Sequence, residues 1–250
     1  MKTNWDYTKL AMSYLKRPQY AETAIDQLIE LVGTTEGARV CDVGAGVGHL
    51  TIPLLKKNFY VDAVEPNDEM RRLGIEQTSS YSTVNWSAGS GEETGKNSKN
   101  YDLVTFGSSF NVTDREKALK ETARILKRKG WFACMWNHRD LKDPIQASIE
   151  KIISKHLRDY HYGVRREDQS DIIKKMGLFE EAVKMEGMVI HFQSVADCLE
   201  AWCSHATLER QAGGKFNAII GDIKEMLYRE CSEDLSIPYT TRIWAAKIKK

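Results

Sequence analysis

The chain has 250 residues, 42% hydrophobic and 28% charged, with 36 basic against 35 acidic side chains and a net charge of +1. This composition suits an ordinary soluble protein with a sizeable core. The charge balance excludes a general electrostatic attraction to nucleic acid or to an anionic membrane, so a small-molecule partner is expected, and a monomer or homodimer.

The elements can be taken in order. Ahead of the first strand lies "DYTKLAMSYLKRPQYAE", with Tyr7 and Tyr14 a heptad apart on one helical face. "ARVCDVG" is a buried strand, followed by the helix "HLTIPLLKKN". "YVDAVEP" is a second strand, and "NDEMRRLGIEQ" a helix that Asn67 or Asp68 can cap. "STVNWSAG" is a weaker third strand. "YDLVTFGSS" is a fourth, followed by a helix over "DREKALKETARILKRKG", with Asp114 as its N-cap and Gly130 near its C-cap. "GWFACMWN" is a fifth. Strands alternating with helices of this length form β-α-β units and a parallel sheet.

After Asn137 the rhythm changes. "DPIQASIEKIISKHL", "EDQSDIIKKMGLF", "SVADCLEAWCSHATL" and "KFNAIIGDIKEMLYREC" read as helices. "EAVKMEGMVIHFQ" and "YTTRIWAAKIKK" read as strands. One domain over 1–250 is expected, with a helical lid in 1–35, a cofactor-binding core in 36–140, and helical cap elements with closing strands in 141–250.

The five cysteines (Cys41, Cys134, Cys198, Cys203, Cys231) have no C-x-x-C spacing, which argues against a disulfide framework and a structural zinc site. The six histidines show no ligand spacing, so no metal is expected. "MKTNWDYTKL" has no long apolar run, and no stretch approaches a membrane span, so a cytoplasmic protein is expected.

The chemistry concentrates in "CDVGAGVGHL". A dinucleotide turn needs G-x-G-x-x-G, but Gly44, Gly46 and Gly48 are spaced G-x-G-x-G, and His49 stands where the third dinucleotide glycine belongs. Asp42 ahead of the turn would repel a pyrophosphate but could accept hydrogen bonds from an ammonium group. Glu65, at the end of the second strand, suits a ribose diol. A nucleoside bearing an ammonium group is therefore favoured over a dinucleotide, and an NAD(P)-dependent oxidoreductase is disfavoured.

"VCDVGAGVGHLTIPLL" with "VDAVEPNDEM" resembles the cofactor signature of class I S-adenosylmethionine-dependent methyltransferases. The likeness continues from Tyr101 to Asp140, where it is to the small-molecule branch that includes trans-aconitate methyltransferase-like proteins. A looser likeness lies in "IPYTTRIWAAK". The resemblance implies an α/β, Rossmann-like, seven-stranded, mostly parallel sheet with an antiparallel last strand, helices on both faces and a helical insertion as substrate lid. It implies S-adenosyl-L-methionine as cofactor, with Asp42, Gly44, Ala45 and Gly46 at its methionine end and Glu65 on the ribose. Pro66, Asn67 and Met70 would lie along the ribose and adenine, and Ser90, Gly91 and Glu92 near the adenine amino group. Phe106 to Phe110 would run beneath the sulfonium. Relatives often have His-Trp where this chain has Asn111-Val112, so substrate contacts there differ.

On the acceptor side, "RPQY" resembles an R-P-x-Y element of the N-terminal helix that covers the cofactor, which makes Tyr14 and Arg17 substrate candidates, although tyrosines at heptad spacing also suit plain packing. "WNHRD" leaves the fifth strand where open α/β sheets bind ligands. His138 could serve there as a general base, and Arg139 could hold a carboxylate or pair with Asp140. Phe110, Asn111 and Asn137 complete the expected acceptor wall. His205 and Tyr239 are weaker candidates, and Trp202 reads as core. "RREDQ" reads as a solvated helix start whose Arg165 and Arg166 could attract an anion. The function expected is methyl transfer from S-adenosylmethionine to an oxygen, nitrogen or carbon of a small molecule. The rival reading is a non-catalytic regulatory protein that binds S-adenosylmethionine or S-adenosylhomocysteine.

Overall fold

A computed structural model describes residues 8–231 and 234–249. Among them, seven strands form one sheet: β1 (Arg39–Val43), β2 (Tyr60–Val64), β3 (Val84–Ser87), β4 (Tyr101–Gly107), β5 (Leu126–Arg139), β6 (Val183–Ser194) and β7 (Asp234–Lys247). Their order is β3-β2-β1-β4-β5-β7-β6. The first five pair in parallel, and β7 runs antiparallel between β5 and β6. This is the mixed sheet that the resemblance implies. Ten α-helices accompany it among the described residues: α1 (Ala11–Tyr14), α2 (Glu22–Val32), α3 (Thr51–Lys56), α4 (Asp68–Gln77), α5 (Arg115–Ile125), α6 (Pro144–His156), α7 (Ser170–Lys175), α8 (Val195–Cys203), α9 (Ala206–Ala212) and α10 (Phe216–Glu230). No described helix is long and apolar enough to cross a membrane.

Alternation along the strands builds two cores, because successive side chains in a strand point to opposite faces. Cys41, Val43, Val104, Phe106, Phe132, Cys134, Trp244 and Ala246 face one side, where Leu119 of α5 and Ile173 of α7 cover them. Val40, Leu103, Ala133, Met135, Ile243 and Ala245 face the other, against Ala24, Ile25 and Leu28 of α2 and Leu54 of α3. A third cluster is helical: Ile149, Ile153, Cys198, Trp202, Ile219 and Ile223 pack over Leu235, Ile237 and Tyr239, at the start of β7.

Local chemistry sets several boundaries. Asn67 caps α4, its side-chain oxygen accepting from the amides of Glu69 (3.1 Å) and Met70 (3.0 Å). Asp114 caps α5 through the Lys117 amide at 3.1 Å. The helix expected to run to Gly130 stops at Ile125 instead. Leu126 pairs with Tyr101, and the strand register shifts between Tyr101 and Leu103, so "LKRKG" enters β5 through an irregularity. Burial of Leu126 in the core outweighs the helix-favouring lysines and arginine after it. The single helix expected over 194–208 is also broken. His205 stacks on Trp202 at 5.1 Å, and its Nδ1 accepts from the Leu208 amide at 3.2 Å to start α9.

Of the stretch 1–35 expected as a lid, α2 instead packs on the sheet. Gly187 of β6 lets it approach: a Cβ there would stand 2.6 Å from Thr23 Oγ1 and 2.8 Å from the Ala24 amide nitrogen. The Ala21 amide donates to Thr241 Oγ1 at 2.7 Å. Residues 8–20 cross the carboxyl edge of the sheet, with Ala11 packed on Val47, Met70 and Leu73. Tyr7 lies outside the described residues.

A tight contact between α4 and β3 gives a stability prediction. A Cβ on Gly74 would lie 2.2 Å from Cη2 of Trp86, whose indole N–H is fixed on Thr78 Oγ1 at 2.9 Å. Gly74→Ala should therefore destabilise by about 1–3 kcal/mol from overpacking, against the ~1 kcal/mol that alanine gains over glycine in a helix. Urea denaturation should show this loss in the wild-type background and a gain where Trp86 is replaced by alanine.

Candidate functional site

The turn from β1 to α3 holds three glycines in the left-handed region: Gly44 (φ 66°), Gly46 (φ 59°) and Gly48 (φ 95°). A Cβ on Gly44 would meet Ser109 Cβ at 2.4 Å, so a side chain is excluded there. A Cβ on Gly46 would meet nothing within 4 Å, because it would point into a cavity of about 680 Å³.

Two acids frame the turn. Asp42 has no exposure, and its oxygens accept from Thr51 Oγ1 at 2.7 Å and Thr105 Oγ1 at 2.9 Å. Burial pushes its carboxyl up to about 6, and the two hydroxyls oppose that rise. Two hydroxyls within the protein thus hold the carboxyl that the sequence suggested for an ammonium group, and Asp42 is among the residues that line the cavity. Glu65 is 6% exposed. Its carboxylate accepts from the Gly46 amide and the Asn67 amide, both at 2.9 Å. Burial raises its pKa, and these two amides pull it back. Arg71 donates to the Glu65 carbonyl at 2.7 Å.

Ala45, Pro66, Asn67 and Met70 line the same cavity, as do Ser90, Gly91 and Glu92. Glu92 is aimed by the Asp114 amide, which donates to it at 2.7 Å. Gly91 is held bare: a Cβ there would stand 2.5 Å from Thr113 Cγ2.

Phe106 and Phe110 do not line the cavity, contrary to expectation. Both are fully buried and interlock with Phe132 at ring distances of 5.3–5.7 Å. Alternation along β4 turns Phe106 to the α5 face. The strand exit is lined instead by the middle of the expected Phe106–Phe110 stretch, Gly107, Ser108 and Ser109. Ser109 Oγ donates to the Val43 carbonyl at 2.6 Å, and Tyr20 hydroxyl meets Ser108 Oγ at 2.9 Å.

On the other side of the cavity stand Tyr14, Arg17, Asn111, Asn137, His138 and Arg139. Asn111 Oδ1 accepts from Trp136 Nε1 at 2.8 Å. Asn137 donates to the carbonyls of Pro18 (3.1 Å) and Gln19 (2.9 Å) and accepts from Thr241 Oγ1, so its amide ties the N-terminal segment to the sheet. Lys16 extends that tie to α8 through Asp197 (2.8 Å) and Glu200 (2.5 Å). Arg139 makes no ion pair with Asp140; its guanidinium lies over the Trp202 ring at 4.3 Å. Tyr162, Arg165, Arg166, His205 and Tyr239 complete this side. Of "RREDQ", Arg165 and Arg166 are part of the cavity wall, in a 3-10 turn over Gly163–Arg166, whereas Glu167 and Asp168 are exposed just ahead of α7, as a solvated helix start would be. Trp202 is core, as expected.

His138 lies in the cavity wall, in surroundings that disfavour its protonated form. Burial first, and then the charges of Arg166, Arg242 and Arg165, lower its pKa to about 3. Its imidazole is neutral at physiological pH, and its buried Nε2 has no hydrogen-bond partner among the described residues. His49 is likewise lowered to about 4, by burial and Arg17.

A sheet of this order, with a glycine turn after β1 and an acid closing β2, is the fold of class I S-adenosylmethionine-dependent methyltransferases. The fold matches a type II methyltransferase structure from Anaeromyxobacter dehalogenans with TM-score 0.63 and 18% identity, over 92% of this chain and 97% of that one. It also matches phosphoethanolamine N-methyltransferase 2 of Haemonchus contortus, solved with S-adenosyl-L-methionine, with TM-score 0.55 and 14% identity over 96% and 56% of the chains. The chain belongs to the ubiE/COQ5 methyltransferase family, whose profile matches residues 3–162. An uncharacterised methyltransferase of Mycobacterium tuberculosis is 34% identical over 127 residues, 50% of this chain and 48% of its own length. Demethylmenaquinone methyltransferase of Staphylococcus aureus is 32% identical over 108 residues, 42% of this chain and 45% of its own length. The chain thus aligns with about half the length of these curated relatives.

The His138 environment has a direct readout. Its NMR signals should stay at neutral-imidazole shifts from about pH 8 to about pH 5, whereas an unperturbed histidine titrates near 6.5. The unfolded chain takes up this proton near 6.5 and the folded chain only near 3, so the contribution to stability is full above about pH 6.5 and falls as pH drops. His138→Gln should flatten that decline in urea midpoints, and a His138 titration midpoint near 6.5 would contradict the placement.

Proposed function

We propose that the protein transfers the methyl group of S-adenosylmethionine to an oxygen, nitrogen or carbon of a small molecule in the cytoplasm, as a member of the small-molecule branch that its sequence resembles. The observation that carries this reading is one continuous cavity, joining the glycine turn and Glu65 to a wall of arginine and aromatic side chains. Such a cavity has room for a cofactor and an acceptor side by side.

The cofactor end fits the group. Gly46 leaves open space where any Cβ would intrude. Glu65 offers a carboxylate that a ribose diol can engage by displacing or sharing the Gly46 amide. Ala45, Gly44 and the field of buried Asp42 would flank the methionine end. Pro66, Asn67 and Met70 would lie along the nucleoside, and Ser90, Gly91 and Glu92 would close on the adenine.

When bound, the cofactor supplies a sulfonium methyl: the acceptor's lone pair forms the new bond to carbon as the carbon–sulfur bond breaks and its electrons return to sulfur. The protein's contribution is then alignment and exclusion of water. Residues 8–20, held by Asn137, Lys16 and Tyr20, roof the cleft. His138, neutral, orients the acceptor through its free Nε2 and does not take its proton. The acceptor therefore arrives ionised at the reacting atom or releases its proton to solvent.

Glu65→Ala should weaken S-adenosylhomocysteine binding by about 1–3 kcal/mol, the scale of charge-assisted hydrogen bonds. Gly46→Val should cost about as much again, from strain at positive φ and from filling the cavity. Isothermal calorimetry on folded variants decides both; unchanged affinity in either removes that residue from the cofactor site.

A further inference from the structure

The cavity is electrically divided. Its carboxylates (Asp42, Glu65, Glu92 and Asp114) belong to the end built by the glycine turn and the exits of β2 and β3. Lining the other end are Arg17, Arg139, Arg165 and Arg166, and none of the four lies within ion-pair distance of a carboxylate among the described residues. Lys16, the other cation in the wall, is already paired with Asp197 and Glu200.

The arginines are held by rings instead of acids. Arg17 lies over Tyr14 at 3.5 Å, Arg139 over Trp202 at 4.3 Å, and Arg166 and Arg165 over Tyr162 at 4.2 Å and 5.4 Å. Stacking fixes the guanidinium planes and leaves N–H edges for a ligand. Some of those edges are used: Arg166 donates to the Arg139 carbonyl and Arg165 to His205 Nε2, each at 3.3 Å, and Arg139 donates to the Tyr239 side chain. The Arg139 Nε and the His138 Nε2 are both buried without partners among the described residues. Glu150 of α6, the acid behind this group, takes the Tyr162 hydroxyl. Burial and the neighbouring Arg139 hold Arg165 down to about 10. Four cations crowded at a closed cavity wall are costly without a counter-charge.

We infer that the acceptor substrate is a small-molecule oxyanion, bearing a carboxylate or phosphate, that Arg17, Arg139, Arg165 and Arg166 grip. This deepens the methyltransferase reading and rests on it for the word acceptor. Guanidinium forks match the paired oxygens of either group, and with an uncharged acceptor the acid offsetting Arg139, Arg165 and Arg166 would be Glu150. The roofed cavity admits a metabolite rather than a polymer. Arg165 and Arg166 lie beyond the stretch 3–162 that matches the family profile, so half of this grip lies outside the part of the chain that the profile covers.

The test uses the whole protein saturated with S-adenosylhomocysteine and titrated calorimetrically with citrate and, separately, with pyrophosphate, in chloride-matched buffer. At least one should bind saturably, one per chain, and the tighter of the two tells carboxylate from phosphate. Arg165→Gln and Arg17→Gln should each weaken that binding by about 10- to 100-fold, and Arg165→Gln should bind S-adenosylhomocysteine within about twofold of wild type. Arg17→Gln, on the half-buried N-terminal segment, keeps the test open if Arg165→Gln misfolds. Binding of neither anion by cofactor-loaded wild type, or equal anion affinity in folded variants, would overturn the inference. Failure of wild type to bind S-adenosylhomocysteine would instead overturn the cofactor reading, and anion titration of the unloaded protein would still decide the oxyanion grip.

Discussion

The geometry of the site depends on a carboxylate that water does not reach. A buried ion costs several kcal/mol unless its lone pairs are met, and Asp42 meets that cost with two threonine hydroxyls. Thr51 opens α3 and Thr105 lies in β4, so one side chain fixes the start of a helix against the two central strands. The glycine turn is strung between these fixed points. Ser109 then fills the space beside bare Gly44 and bonds to the Val43 carbonyl, which sets how closely β1 and the β4 exit approach. Glu65 reaches the Gly46 amide only because that spacing is held.

From this frame the cavity follows. β1 lies between β2 and β4, whose crossovers leave in opposite directions, and open sheets form their binding crevice at such a point. The sheet supplies the acidic end of the crevice. Its basic end comes from elements that have other packing to satisfy: the N-terminal segment, the β5 exit, and the 3-10 turn beneath the helical lobe. Arg139 and Trp202 belong to both, since the ring that seals the helical core also shelves the guanidinium. Packing and recognition share the same atoms there.

Much of this was legible in the sequence, for local reasons. Glycine spacing, the two acids at strand ends, and the caps at Asn67 and Asp114 are short-range chemistry, readable from adjacent residues. What escaped was decided by distant partners. The helix over 114–130 loses its last residues because Tyr101 pairs with Leu126. Phe106 and Phe110 turn to the core because Phe132 and Phe179 wait there. The basicity of His138 depends on arginines 28 and 104 residues away in the chain as well as on burial. The four-arginine wall shows no periodicity at all, because three separate segments contribute to it.

The position of β7 has a consequence for how the chain reaches this state. β7, later in the chain than both of its neighbours, is inserted between β5 and β6, pairing with β5 from Trp131–Lys247 to Arg139–Tyr239. Loop closure over such separations is slow, because its entropy is lost before the pairing rewards it. On a ribosome, the first five strands can associate while the edge of β5 stays open, an adhesive border that invites wrong partners. α2 waits as well, since it anchors to Thr241 of β7 and lies along Gly187 of β6. α2 and the β6–β7 pair, far apart in the chain, therefore consolidate together, as a late clasp, and the acceptor wall beside them matures only with that clasp.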